Sequence, residues 1–171
     1  MENLQAVSAD YFAAQLAPAL KCRGFRKRRL TWCKDAEDTT VLFHIQRSQW
    51  SKDVWYYVFG TSIHEFTKHP VTSCDQNHIQ TRCDASLDGR LLTAEQVLKL
   101  IDAWDACYGS ISQLCKHITA GTIPIESLGC AGYDALNALS EIAKLPIENR
   151  TPDFWFSEIN FARTVLELPD I

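Results

Sequence analysis

Two strand-like segments joined by a very short connection constrain this chain more than any other feature. The first runs from about Thr40 to Gln49, with apolar residues on one side and increasingly polar residues on the other. The second, from Val54 to Ile63, is rich in the aromatic and β-branched residues that suit a pleated sheet. Because Ser51–Asp53 is too short to cross over a sheet, the two strands are predicted to be antiparallel neighbours.

Further elements are predicted on both sides of this pair. A strand from about Phe25 to Cys33 precedes it, and a short strand around His78 to Arg82 extends it. Ser8 is the predicted N-cap of an N-terminal helix that ends near Gly24. The predicted fold class is therefore α+β: an antiparallel meander of three to four strands with an N-terminal helix and a helical C-terminal half.

The C-terminal half carries the periodicity of helices. Thr93–Gln96 matches a capping box, and apolar residues then recur at helical spacing to about Thr119, with a weak point at Gly109. A second helix is predicted over Tyr133–Lys144, and a third starts at Thr151.

The length and composition indicate one globular domain. Residues 1–90 are predicted to hold the first helix and the sheet, and residues 91–171 a helical region packed on that sheet. No stretch reaches the roughly 18–20 apolar residues of a membrane span, and the first residues lack the order of a secretory signal. We therefore expect a cytoplasmic protein with no membrane partner.

The cysteines and the missing catalytic signatures lead to further expectations. The seven cysteines are irregularly spaced with no Cys-x-x-Cys pair, which argues against a disulfide framework and a zinc site. We expect small buried thiols, and no metal or cofactor. No Gly-x-Ser-x-Gly elbow occurs, and no local signature pairs a Cys with a His. No catalytic residue is therefore predicted, and the chain is expected not to be an enzyme.

A basic run occupies residues 21–29. Six of the 17 Lys and Arg residues lie there, which leaves 11 against 21 Asp and Glu, a net charge of −10 for the rest of the chain. Three interpretations remain open: binding of nucleic acid, docking of an acidic protein, and protection of an exposed strand from aggregation. Arg26 and Arg28 are the candidate binding residues of this run.

A polar cluster is predicted on the strand from about Thr40 to Gln49. His44, Gln46 and Ser48 alternate and should project from one face. If His78 and Arg82 lay opposite, the cluster could grip an anion through charged donors. The alternative is a hydrogen-bonded polar layer with a purely structural role.

Aromatic residues crowd the two central strands and their connection. Trp50, Trp55 and Tyr57 could be exposed anchors of a protein interface, since Trp and Tyr are favoured there. The alternative is that a helix packs over that face and buries them.

Several short motifs together resemble one known family. In chain order they are Leu16-Ala17-Pro18-Ala19-Leu20, Gly24-Phe25-Arg26-Lys27-Arg28, Gln46-Arg47-Ser48, Gly60, and the pair His78 and Arg82. Over roughly Tyr11 to Arg90 the chain resembles an uncharacterised bacterial domain-of-unknown-function family, number 4304. The family has no established enzymatic activity that the resemblance could carry over to this chain, and its small domains look like the kind found as immunity proteins beside secreted toxins.

The favoured function is therefore a non-catalytic protein-binding domain, an immunity- or antitoxin-like protein that neutralises a toxin by binding it. The acidic remainder of the chain would suit a cationic partner such as a nuclease. The alternative is an RNA- or nucleotide-binding module that acts through the basic run and the face of His44, Gln46 and Ser48. The oligomeric state stays open.

Overall fold

The computed structural model of the protein describes residues 8–67, 70–123, 132–151 and 159–169. The helices are α1 (Ala9–Cys22), α2 (Ala94–Tyr108), α3 (Ile111–Ala120), α4 (Gly132–Ile142) and α5 (Phe161–Val165). The strands are β1 (Arg26–Arg28), β2 (Thr31–Asp35), β3 (Thr39–Arg47), β4 (Trp55–Ile63), β5 (Ile79–Asp84), β6 (Ser86–Leu87) and β7 (Arg90–Leu91). Short 3-10 turns lie at His64–Phe66, Cys74–Gln76 and Ile147–Asn149. The predicted α+β class is confirmed.

Strands β1 to β5 form one antiparallel sheet in chain order, as a meander should. It has five strands rather than three or four, because the segment predicted as one strand over Phe25–Cys33 forms two strands, β1 and β2. The single-strand prediction is therefore wrong. Arg29 has a positive φ of 57° and turns the chain, so that Arg26 pairs with Cys33 in a tight hairpin. The strand predicted around His78 to Arg82 is confirmed as β5.

One face of the sheet, here called the inner face, is covered by helices. The predicted cap of α1 is confirmed, since the Ser8 hydroxyl accepts a hydrogen bond from the Tyr11 amide. Phe12 of α1 packs on Tyr57, with ring centroids 5.6 Å apart, and Phe43 packs on Tyr57 at 5.9 Å. Buried residues of the sheet and of all five helices form one hydrophobic cluster.

The long helix predicted to Thr119 is broken at its weak point. The capping box at Thr93 and Gln96 is confirmed, but α2 ends at Gly109 and Ser110 caps a new helix, α3. A Cβ atom at Gly109 would collide with the backbone carbonyl of Asp105. The glycine therefore permits a turn that a larger residue would not fit.

Two buried threonines attach the end of α2 to the sheet. The Thr61 hydroxyl accepts a hydrogen bond from the Trp104 indole at 3.1 Å and donates one to the Tyr108 carbonyl at 2.8 Å. The Thr39 hydroxyl donates to the Gly109 carbonyl at 2.5 Å. These bonds satisfy carbonyls that the last turn of a helix leaves without intrahelical partners.

The C-terminal elements complete the core. The helix predicted over Tyr133–Lys144 is confirmed as α4, whereas most of the segment after Thr151 lies outside the described residues. In α5, Phe161 packs on Phe59 and Trp104 at 5.6 and 5.2 Å. Among the described residues, no helix is both long and apolar enough to cross a membrane.

Replacing Thr61 with Val should destabilise the fold by about 2–3 kcal/mol, because the Tyr108 carbonyl and the Trp104 indole would both lose a buried partner. Urea unfolding measures the change. Thr81→Val, at a second buried threonine of the inner face, is the matched control and should cost less than about 1 kcal/mol. Equal costs for the two variants would show that the threonine bonds do not hold α2.

Candidate functional site

The face opposite the helices, here called the outer face, brings together residues from four strands. The strand register aligns Thr31, His44, Val58 and Arg82 in one row across β2 to β5. The next row includes Gln46. Cross-strand partners point to the same side of a sheet. Arg82 therefore lies on the face of His44 and Gln46, as the anion-binding interpretation requires.

One end of the outer face is covered by residues 70–77, here called the covering loop. Val71 packs with Cys33 and Leu42 in a small second hydrophobic cluster. The Asn77 side chain lies directly over Gly60, where a Cβ atom would clash with the amide. This close approach explains why a glycine stands at that point of β4.

A cleft opens between the covering loop and the turn from β1 to β2. It is here called the outer cleft and has a volume of about 520 Å³. Its lining residues are Arg28, Arg29, Leu30, Thr31, His44, Thr72 and Ser73. The cleft therefore combines two guanidinium groups, three hydroxyls and an imidazole around one apolar side chain.

The basic run is divided by its contacts. Arg23 makes a two-pronged ion pair with Asp102, at 2.7 and 2.9 Å, and Arg26 pairs with Asp35. The Lys27 ammonium lies 5.2 Å from the centre of the Trp32 ring. Arg26 was a predicted binding residue, but its ion pair with Asp35 gives it a structural contact within the sheet.

Arg28 and Arg29 differ from these neighbours. Both are exposed, both line the outer cleft, and neither makes an ion pair with any residue in the described ranges. The candidate Arg28 is thus placed for binding, and it gains a companion that the sequence did not single out.

His44 is held in place within the cleft. Its Nδ1 lies 2.9 Å from the Thr31 hydroxyl, and the ring also hydrogen-bonds to the backbone of Leu30. Burial lowers the pKa of His44, and the Leu30 bond opposes that effect only in part. At neutral pH the imidazole is therefore uncharged, and the ring is hydrogen-bonded to the protein.

His78 does not join this group, and that part of the prediction is wrong. It is 2% exposed, and its Nδ1 accepts a hydrogen bond from the Ile63 amide at 2.9 Å. His78 lies just before the start of β5, whereas Arg82 lies near the end of that strand. Because a strand advances about 3.4 Å per residue, the two side chains are well separated along it. Burial lowers the pKa of His78, so the ring is a neutral part of the interior.

Ser48 and the three aromatic candidates do not lie together on one surface. Ser48 follows the end of β3, where its hydroxyl accepts a hydrogen bond from the Trp50 amide at 3.1 Å. Trp55 and Tyr57 are 3% and 0% exposed, so both are core residues under α1 rather than surface anchors. Trp50, in contrast, is 93% exposed in the loop from β3 to β4.

Of the seven residues that line the cleft, only Arg28 and His44 were candidates from the sequence. Arg29 would alternate to the other face in a continuous strand, and only the turn brings it beside Arg28. Thr72 and Ser73 lie in a segment without readable periodicity, and they reach the cleft because the covering loop folds back over the sheet.

The chemistry of the cleft is that of binding an anion. Its guanidinium and hydroxyl groups are hydrogen-bond donors, and the nearby Cys33 thiol has its pKa raised to about 11 by burial and so stays protonated. Within the part of the chain that the structure describes, no three His, Cys, Asp or Glu side chains form a group able to hold a metal ion.

Comparison with known families identifies the class to which the chain belongs. The model of the family described as Domain of unknown function (DUF4304) matches residues 16–125, more than half of the chain. The chain therefore belongs to this family, as its motifs indicated, and the match extends beyond the sheet through α2 and α3. Neither the curated proteins nor the solved structures contain a match.

The buried state of His78 predicts a pH dependence. Its pKa in the folded chain lies below the ordinary value of 6.5. As the pH falls below about 6.5, the unfolded chain binds a proton that the folded chain refuses, so stability falls by up to about 1.4 kcal/mol per pH unit.

His78→Asn keeps an acceptor for the Ile63 amide but removes the titration. Urea unfolding from about pH 7.5 to 5.5 should therefore show a smaller loss of stability in the variant than in the wild type. His44 and His117, whose pKa values burial also lowers, remain in the variant and leave part of the slope. Identical slopes in the two proteins would contradict the prediction.

Proposed function

We propose that the protein is a non-catalytic binding domain of the immunity- or antitoxin-like kind, which neutralises a toxin protein by binding it. The observation that carries the proposal is the part of the outer face beyond the covering loop, where Gln46, Arg82 and Asp84 are exposed. Beside it the loop from β3 to β4 presents Trp50 to solvent. These residues are here called the open surface.

The open surface has the composition of a protein interface. The Arg82 guanidinium lies 4.5 Å from the centre of the half-buried Tyr56 ring, so the two side chains already contact one another. Tyr, Trp and Arg are the residues that contribute most to binding at protein interfaces. A partner that covers Trp50 would remove a large apolar area from water, which favours association.

Charge and histidine chemistry support the same proposal. Outside residues 21–29 the chain is acidic, which suits a cationic toxin such as a nuclease. Both candidate histidines are neutral and engaged in hydrogen bonds, an arrangement that suits binding better than proton transfer. The proposal includes a cytoplasmic location, where free thiols such as Cys22 stay reduced.

Replacing Trp50 with Ala should weaken binding of the toxin without unfolding the protein. The toxin to be tested is the purified product of the gene next to the one that encodes this protein. We expect a loss of about ten-fold or more in Kd, measured by calorimetry, since an exposed Trp at an interface is worth about 1.4 kcal/mol or more.

Ile147→Ala is the control, because Ile147 is 80% exposed and lies outside the sheet. It should leave the affinity within about two-fold of the wild type. No binding of the adjacent gene product, or equal losses for the two variants, would refute the proposal.

The second candidate is an RNA- or nucleotide-binding module. The observation that favours it is the position of Arg28 and Arg29, exposed and without ion pairs in the described ranges, on the same side of the sheet as Arg82 and Tyr56. Cationic side chains bind phosphates, and an aromatic ring beside them can stack on a base.

The RNA-binding candidate predicts salt-sensitive binding. If Arg28, Arg29 and Arg82 each neutralise one phosphate, raising the salt from about 50 to 200 mM should weaken the binding of single-stranded RNA roughly twenty-fold. Fluorescence anisotropy with a labelled oligonucleotide measures this loss. Arg82→Gln should flatten the salt dependence and Lys52→Gln, at the exposed hairpin, should not. Salt-insensitive binding, or none, would remove the candidate.

A further inference from the structure

We propose that the outer cleft is a phosphate-binding site, which takes a phosphate monoester between Arg28 and Arg29 on one side and Thr72 on the other. This inference goes beyond the proposed binding of a toxin and stands without it. It also gives the second candidate a defined ligand group.

The two arginines are the first element of the site. They are the exposed cations of residues 21–29 that line a concave surface and lack an ion pair among the described residues, whereas Arg23 and Arg26 are held by carboxylates. A guanidinium donates two parallel hydrogen bonds to a phosphate, so adjacent arginines can grip one group from two directions.

The turn at Arg29 places both side chains in the same cleft. Consecutive residues of a strand point to opposite faces, yet Arg28 and Arg29 line one cavity. The cause is the left-handed conformation of Arg29, with φ of 57°, which is uncommon for a residue other than glycine. Backbone strain of this kind is concentrated at ligand-binding and other functional positions.

The three hydroxyls that line the cleft differ in their hydrogen bonds. Thr31 is committed to His44, and Ser73 donates its hydroxyl hydrogen to Asp75. Thr72 is held through its backbone, whose amide donates to the Gln76 side chain at 2.8 Å. The Thr72 hydroxyl is therefore the one of the three that is best placed to donate to a ligand.

The size and the lining residues of the cleft favour binding of a phosphate monoester over binding of a free phosphate ion. About 520 Å³ falls within the range of small-molecule sites and exceeds what one phosphate fills. Leu30 offers an apolar contact for an organic group beside the phosphate. Asp75, exposed at the rim, opposes an anion and keeps the affinity below the value the arginines alone would give.

Calorimetric titration of the full chain with adenosine 5′-monophosphate tests the site, with adenosine as the ligand that lacks the phosphate. The monophosphate should bind at least about ten-fold more tightly than adenosine, since each charge-assisted hydrogen bond contributes that much or more. Arg28→Gln and Arg29→Gly should each weaken the monophosphate by about ten-fold or more, and Asp75→Asn should strengthen it.

Two comparisons among the variants distinguish binding at a specific site from a general effect of positive charge on affinity. Arg26→Gln removes the same charge from the same strand and should change the affinity by less than about two-fold, because Arg26 is paired with Asp35. Arg29→Gly relieves the left-handed strain, so its melting temperature should not fall while its binding does. Equal losses for Arg26→Gln, or equal affinities for the monophosphate and adenosine, would overturn the inference.

Oligonucleotides with and without a 5′-phosphate distinguish a free nucleotide from an RNA end. Preference for the phosphorylated end, abolished by Arg29→Gly, would support the inference with RNA as the source of the phosphate. Binding of the monophosphate without any binding of RNA would support the inference and eliminate the RNA-binding candidate. Binding of RNA that ignores both the 5′-phosphate and Arg29→Gly would leave that candidate standing and overturn the inference.

Discussion

The hydrogen bonds between the sheet and the end of α2 hold the rest of the structure together. Thr61 joins β4 to the Trp104 indole and to the Tyr108 carbonyl, and Thr39 of β3 donates to the Gly109 carbonyl at the end of the helix. Because that helix end is fixed, the chain can turn at Gly109 and start α3. Trp104 in turn packs against Phe161, so the same junction positions the C-terminal part of the core.

The two faces of the sheet therefore differ in what packs against them. The helices bury the inner face, with its aromatic residues, whereas among the described residues the covering loop packs on the outer face. That loop covers Leu42 and stops short of Arg82. A polar cleft and an open surface thus lie side by side on strands whose other side is firmly packed, so a ligand on either would not disturb the core.

The sequence was most informative where local chemistry acts alone. Alternation in β3, the N-cap at Ser8 and the capping box at Thr93 each depend on neighbouring residues, and each was predictable. The placement of Trp55 and Tyr57 in the core was not, because either face of an aromatic strand can be the buried one until the helices are placed.

The candidate site shows the same division. Gln46 and Arg82 share a face with His44, as the two-residue period of strands requires. The outer cleft itself was not predictable, since it depends on a left-handed residue inside a basic run and on a loop from a distant part of the chain. His78 was misplaced because its burial depends on the 3-10 turns around it and not on its own strand.

The position of Phe161 shows that the segment matched by the family model is shorter than the unit that folds. The family match ends at residue 125, yet Phe161 fills the space between Phe59 and Trp104, and Arg163 is anchored by two hydrogen bonds to Asp88 within the matched segment. A chain that ended at residue 125 would lose the aromatic packing of Phe161 in the core and the two hydrogen bonds between Arg163 and Asp88. The C-terminal residues are thus part of the hydrophobic core of this protein, although they lie outside the segment that the family model matches.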